Sequence, residues 1–289
     1  MSNNELGMFL RTRRESRTPA EVGLPAGPRR RTPGLRRAEV AMLAGVSVEY
    51  ITRLEQGRDR RPSAQVLAAL AAALQLTASE RVHLYRLSKA ADGAFSCMGD
   101  VPPGRILRPT VRALLDRLEP TPAVLVNRLT EIVAHTAGFE RLARPVGLLD
   151  GARRDGTYPN LARFVFADAR ARAAYPDWEQ VADEQVAMLK QGPFRENRHV
   201  AALADELTVT AGEDFTRRVE TVPGLPRSSG IMRLAHPEAG ELRLAYETLD
   251  LPADDDQRLI VCLPADSAAS AALDALNSRR PDTLRLVSG

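Results

Sequence analysis

The glycine at position 45 constrains the fold more than any other residue; around it, residues 41–57 read AMLAGVSVEYITRLEQG. An apolar helical run carrying Val40, Leu43 and Ala44 stops there, because glycine tolerates the positive φ of a sharp helix end. Ser47 is placed to cap a second helix. On that helix Ile51 and Leu54 face inward, and Val46 fills the gap between the two helices. Val48, Glu49, Thr52, Arg53 and Gln56 are left outside. Two helices joined by a turn of about three residues, the second with a short polar face, make a helix-turn-helix. The N-terminal residues of its second helix are those that enter the DNA major groove. A plain helical hairpin inside a bundle has the same local pattern, so the surrounding sequence decides.

Those surroundings are helical and basic. Residues 5–17 read as a helix with Leu6, Phe9 and Leu10 on one face, and residues 18–35, rich in proline and glycine, read as a loop. After Pro62, Val66, Leu67, Leu70 and Leu74 recur at helical spacing. Thr77 and Glu80 form a capping box at the start of a fifth helix. Residues 1–61 hold thirteen arginines against seven carboxylates, a net +6, whereas the rest of the chain holds 27 basic and 30 acidic residues. A basic module on a mildly acidic body meets a polyanion, and double-stranded DNA is the expected partner. The lone arginine triplet Arg29, Arg30 and Arg31 reads equally as a solvated loop or as a DNA-contacting arm.

The composition of residues 91–104 is that of a linker, so the expected division is a DNA-binding domain at 1–90 and a second domain at 105–289. Here AVLVN (123–127) and EIVAHT (131–136) are two short strands. Helices follow, including one that starts at Asp177 and a second capping box at Thr210 and Glu213. GIMRLAH, ELRLAYETL and QRLIVCLP then form an antiparallel meander. Strands, helices and strands again give an α+β domain with one sheet backing a helical layer. The whole chain is thus expected to be α+β, five helices followed by an antiparallel sheet with helices.

Some functions are disfavoured. The chain carries no G-x-S-x-G, P-loop, G-x-G-x-x-G or H-E-x-x-H signature. Two distant cysteines, Cys97 and Cys262, read as free thiols, and the four scattered histidines lack metal-ligand spacing. Asp254, Asp255 and Asp256 read as a solvated turn. No catalytic residue, metal or cofactor is expected. There is no apolar run of the ~18 residues a membrane span needs. The first sixteen residues lack the apolar core of a signal peptide, so the expected location is the cytoplasm.

Residues 35–57, LRRAEVAMLAGVSVEYITRLEQG, followed by PSAQVLAALAAAL, resemble the XRE class of helix-turn-helix regulators. More narrowly, residues 22–63 resemble actinobacterial regulators whose C-terminal half is an MmyB-type ligand-binding domain. PNLARFVFADARARAAYPDWEQVA, HPEAGELRLAYETL and DDQRLIVCLPA carry the likeness through that half. The chain departs from the pattern in its longer 18–35 loop, and in His135 where many relatives carry a tryptophan. The resemblance implies a PAS-like sheet-and-helix domain and a fatty-acid-like ligand. It also implies that Val48, Glu49 and Arg53 read base edges, with Ser47, Thr52 and Gln56 as phosphate or register contacts and Arg36 and Arg37 beside them. The chemistry fits: Arg53 can donate twice to guanine, Glu49 can accept from cytosine, and Val48 can touch a thymine methyl. Arg58, Arg60 and Arg61 follow the second helix and are expected at phosphates.

Three functions remain open: a ligand-responsive regulator, a DNA-binding protein whose second domain only dimerises or recruits a partner, and an enzyme fused to a DNA-binding module. In the first, an apolar ligand chain is expected between Leu242, Leu244 and Val261 on the sheet and helices carrying Phe164, Phe166 and Trp178. Its polar end would meet Arg163, helped by Asn160 or His236. The alternatives are an ion pair for Arg163 and a backbone-bonded turn for His236. A homodimer is expected, because one such module makes few base contacts.

Overall fold

The computed structural model describes residues 4–25, 33–59, 61–91, 103–150, 158–191, 194, 197–251 and 257–278. The chain divides into two compact units: Met1–Val101 with Ala187–Ala202 and Arg217–Leu225, and Pro102–Val186 with Leu203–Thr216 and Pro226–Gly289. Arg29, Arg30, Arg31, Arg60, Cys97 and Asp254 to Asp256 lie outside the described residues.

The first unit opens with five α-helices: α1 Glu5–Ser16, α2 Arg37–Ala44, α3 Val48–Glu55, α4 Ala64–Ala73 and α5 Ala78–Ala91. One core joins them, built on Phe9, Leu10, Val40, Ile51, Leu54, Leu70, Leu74 and Leu84. Gly45 adopts φ +65°, the left-handed turn that ends α2. Ser47 caps α3, its hydroxyl accepting from the Tyr50 N–H at 3.0 Å. The box at α5 forms too: the Thr77 N–H donates to Glu80 Oε2 at 2.7 Å, and the Glu80 N–H to Thr77 Oγ1 at 3.3 Å. Leu43 corrects the expected apolar face of α2. It is 37% exposed, because the inward stripe is Val40, Ala41 and Ala44, and Leu43 lies beside exposed Met42. α1 crosses the end of α3 at Gly7, where a Cβ would run into the Leu54 and Glu55 carbonyls. The Asn4 amide bonds the Glu55 carbonyl at 2.7 Å at the same crossing.

Two later segments of the chain belong to this unit. Lys190, fully buried, donates to the Val219 and Val222 carbonyls at 2.6 Å each and pairs with Glu5 of α1 at 3.3 Å. Burial lowers its pKa, and the Glu5 carboxylate works against that shift. Leu225 packs on the same core as α1 to α5.

The second unit holds one five-stranded antiparallel sheet in the order β2-β1-β5-β4-β3. The strands are β1 Ala123–Val126, β2 Ile132–His135, β3 Ser229–His236, β4 Gly240–Leu251 and β5 Gln257–Pro264. The helices in chain order are α6 Pro109–Leu118, α7 Ala137–Ala143, α8 Leu161–Ala167, α9 Arg170–Ala174, α10 Trp178–Leu189, α11 Arg198–Ala211, α12 Glu213–Thr221 and α13 Ser267–Ser278. α10, α11 and α12 each contribute residues to both units. The architecture is α+β, as the sequence pattern requires. Among the described residues no helix is long and apolar enough to cross a membrane.

Strand register sorts the sheet into two faces. α6 packs Val111 and Leu115 on one face, against Ala123, Leu125 and Leu259, with Val261 joining that cluster. Leu244 pairs with Met232 and Pro264, and Tyr246 with Gly230 and Cys262, so these lie on the opposite face. Val261 is therefore not beside Leu242 and Leu244 as expected. Alternate residues of a strand point to opposite faces, and Cys262 takes that place. Thr210 is a second correction: it lies inside α11 with its hydroxyl on the Glu206 carbonyl at 3.0 Å. The break before α12 comes at Gly212, φ +57°, where glycine supplies the left-handed conformation.

Candidate nucleic-acid interface and ligand-facing layer

α3 presents a polar face because its inward stripe is fixed. Ile51, Leu54 and Glu55 are buried, while Val48, Glu49, Arg53 and Gln56 are exposed and Thr52 is half-buried. Glu55 anchors the helix. Its side chain is 3% exposed and accepts from Arg14 of α1 at 2.6 and 3.2 Å and from Arg37 of α2 at 2.8 Å. Arg14 also donates to the Leu35 carbonyl at 2.9 Å. Burial opposes the Arg14 charge, but its bonds to Glu55 outweigh burial and raise its pKa. One carboxylate thus ties three helices together behind the exposed face. Sequence reasoning passed over Glu55, although its position four residues after Ile51 was the signal.

The expected DNA-facing residues fall into two groups. Arg53 is exposed, 3.8 Å from Asp59 and 5.5 Å over the Tyr50 ring. Exposed pairs of this kind are worth about 0–1 kcal/mol, so a base edge can draw the guanidinium away. Ser47 uses its oxygen as the cap acceptor for the Tyr50 N–H. Arg36, Arg58 and Arg61 are exposed. Arg37 and Thr52 are engaged within the unit: Arg37 holds Glu55, and the Thr52 hydroxyl donates to the Val48 carbonyl at 2.8 Å.

The residues expected around a ligand lie in the second unit, and most of their polar atoms are occupied. Asn160 is buried as the cap of α8, accepting from the Arg163 N–H at 2.9 Å and donating to the Leu129 carbonyl at 2.6 Å. Arg163 makes a two-bond pair with Glu206 at 2.7 and 2.9 Å, and that pairing raises its pKa. His236 Nδ1 accepts from the Glu238 and Ala239 N–H groups, both at 3.2 Å, so its Nε2–H donates to the Arg141 carbonyl at 3.0 Å. Of Phe164, Phe166 and Trp178, the structure brings Phe166 and Trp178 together, while Phe164 packs on Tyr175. Phe166 stands edge-on to Trp178 at 6.0 Å and to Phe215 at 5.1 Å, and Phe164 meets Tyr175 at 6.1 Å. The Trp178 indole N–H donates to the Val165 carbonyl at 2.9 Å, and Arg172 stacks on the ring at 3.7 Å.

A second polar set, unforeseen from the sequence, borders the face of the sheet that carries Leu244 and Cys262. Tyr246 and Cys262 are direct cross-strand partners, and Tyr246 lies across Gly230, where a Cβ would come 2.9 Å from the phenol oxygen. Glu184 of α10 accepts the Arg227 N–H at 2.9 Å. Burial pushes the Glu184 carboxyl up to about 7, the neighbouring Arg227 working against the shift. Burial likewise raises Tyr175, Tyr246 and Cys262, the last to about 12.

Comparison with protein families places both halves. A family described as MmyB-like transcription regulator ligand binding domain matches residues 107–276, and one described as helix-turn-helix domain matches residues 5–84. No curated protein matches the chain.

Proposed function

The chain belongs to the MmyB-like transcription regulator ligand binding domain family, which covers more than half of it, and from that premise we propose a sequence-specific regulator that senses a small amphipathic molecule. The coarser part follows from the two matched families: a DNA-binding transcription regulator with a ligand-binding domain. The observation that carries the sequence-specific DNA reading is the build of α3. Its inward residues, Glu55 included, are locked to α1 and α2, so Val48, Glu49 and Arg53 are held on a rigid exposed face. In this reading those three reach base edges, and Arg36, Ser47, Gln56, Arg58, Arg60 and Arg61 meet phosphate. Arg37 and Thr52 act on register through the bonds they make inside the unit.

The ligand domain reads as PAS-like, a reading supported by the antiparallel five-stranded sheet with helices packed on it. A fatty-acid-like chain would lie on the Leu242, Leu244 and Cys262 face against Phe164, Phe166 and Trp178. Each buried CH₂ contributes about 0.8 kcal/mol, so chain length supplies most of the affinity. To regulate, the ligand must favour one arrangement of the DNA-binding units, since equal affinity for two states shifts nothing. The test is duplex affinity of the full chain, measured with and without saturating long-chain amphiphile. A change of severalfold supports the reading, and identical affinities refute it.

One observation favours dimerisation through the second unit. Ile231, Ala245 and Leu263 are register partners in one row across the sheet; Ile231 and Leu263 are 49% exposed, and Leu249 on the same face is 46% exposed. Sedimentation of the full chain and of Ile231→Asp separates this reading: it expects a dimer that the substitution dissociates.

A further inference from the structure

Directly after α3 the chain folds back on it. Gly57 takes φ +68°, and the Asn4 amide fills the space that a Cβ there would need. The same amide donates to the Glu55 carbonyl at 2.7 Å, so the end of α3 and the turn after it are fixed against the start of α1. The turn sends two backbone N–H groups, those of Arg58 and Asp59, to one acceptor, the Arg53 carbonyl, at 2.9 and 3.3 Å. Asp59 is thereby returned to the residue expected to read a base. Its carboxylate lies 3.8 Å from Arg53 Nη2, with its own side chain 31% exposed. The Arg53 guanidinium also lies over the Tyr50 ring, 5.5 Å from the centroid. Tyr50, one turn earlier on α3, is half-buried and packs against the core, so its ring is a fixed platform.

An arginine on a helix surface has many rotamers, and holding it in one posture to read a base costs entropy. Tyr50 and Asp59 restrict that freedom before DNA arrives. A guanidinium has five donors; two serve the O6 and N7 of guanine, and others remain for a carboxylate. At 3.8 Å Asp59 attracts the cation without a hydrogen bond that would have to break first. It also repels phosphate, the competing target of a loose arginine beside a duplex.

We propose that Asp59 and Tyr50 are positioning residues for Arg53: carboxylate and ring aim its guanidinium at a guanine edge and away from the phosphate backbone. This rests on the reading of α3 as the DNA-reading helix, and it names two residues that set the selectivity of that helix through a third.

The full chain first selects its site from a random duplex pool. Every single-base variant of that site, and an unrelated duplex, is then titrated with the parent and its substituted forms. Arg53→Ala identifies the base pair that Arg53 reads. Asp59→Ala should lower the preference at that pair by roughly threefold to fivefold, the size of one exposed ion pair. Its binding to unrelated duplex should hold or tighten, because a negative charge has gone; a merely structural residue would weaken all sequences together. Asp59→Glu keeps the charge and should keep the preference. Tyr50→Leu should lower preference at the same pair, and Tyr50→Phe, which keeps the ring, should not. In an Arg53→Ala background, Asp59→Ala should change nothing further at that pair. Unchanged preference in Asp59→Ala or Tyr50→Leu, a loss spread over all sequences, or an equal loss in the Arg53→Ala background overturns the assignment and leaves Arg53 as a base reader. If Arg53→Ala alters no base pair, or the pool yields no site, the reading of α3 falls and this assignment falls with it.

Discussion

Replacing Arg14 with methionine removes the main partner of Glu55 and tests what holds the recognition helix. Arg14 gives Glu55 two hydrogen bonds, at 2.6 and 3.2 Å, and the Leu35 carbonyl a third at 2.9 Å. After the substitution Glu55 keeps only Arg37, whose side chain is partly in water, while its own remains 3% exposed. Breaking such a buried pair costs about 3–5 kcal/mol, because a carboxylate is left under-compensated. Amides of α1 and α3 should then exchange hydrogen roughly two to three orders of magnitude faster, since each 1.4 kcal/mol is about tenfold. The companion variant Arg14→Met with Glu55→Leu removes both charges and leaves Arg37 to solvent. It should recover to within about 2 kcal/mol of the parent, as hydrophobic replacements of buried pairs do. Hydrogen exchange by mass spectrometry on the full chain reads α1 and α3 separately from the second unit. A loss below about 1 kcal/mol in Arg14→Met, or a double variant as damaged as the sum of the singles, refutes the anchoring role.

Ser47→Ala removes the cap of α3 and should cost about 0.5–2 kcal/mol in thermal or urea unfolding; no loss would mean that the Tyr50 N–H finds another acceptor. Arg53→Ala should lose roughly 1–3 kcal/mol on a cognate duplex and relax preference at one base pair, whereas Arg58→Ala should weaken all sequences alike; identical profiles across a site library would reject that division. The Glu184 carboxyl, raised by burial from 4.5 to about 7, gives a signed pH effect. The folded state holds this proton more tightly than the unfolded chain, so the contribution is full below about pH 4.5 and lost as pH rises through about 7. Glu184→Gln should flatten that part of the stability profile, and a slope equal to the parent's would refute the burial.

Much of the first unit was legible because its signals are local. Gly45, Ser47 and the Thr77–Glu80 box each act within four residues, and helical spacing sorted Ile51 and Leu54 from Glu49 and Arg53. The five strands were legible from alternation and from the turns between them. Pairing across the sheet was not, and so Val261 was assigned to the wrong face: an isolated strand shows which residues alternate, not which set meets which layer. Thr210 looked like a cap because T-x-x-E recurs inside helices, and only Gly212 marks the true break. The attachment of Lys190 and Leu225 to α1's unit joins residues some two hundred positions apart, and no local periodicity records it.

The central claim, that the exposed face of α3 reads DNA, is tested most directly by selecting bound sites from a random duplex pool with the full chain, alongside Arg53→Ala and Glu49→Ala. The parent should enrich a two-fold or repeated motif with half-sites about one helical turn apart. Each variant should lose preference at its own base pair and keep the spacing. Affinity for the enriched site should fall with salt, log K dropping by about 0.9 per phosphate neutralised for each unit of log salt. A pool with no enriched sequence, or one motif enriched equally by the parent and both variants, would contradict the account.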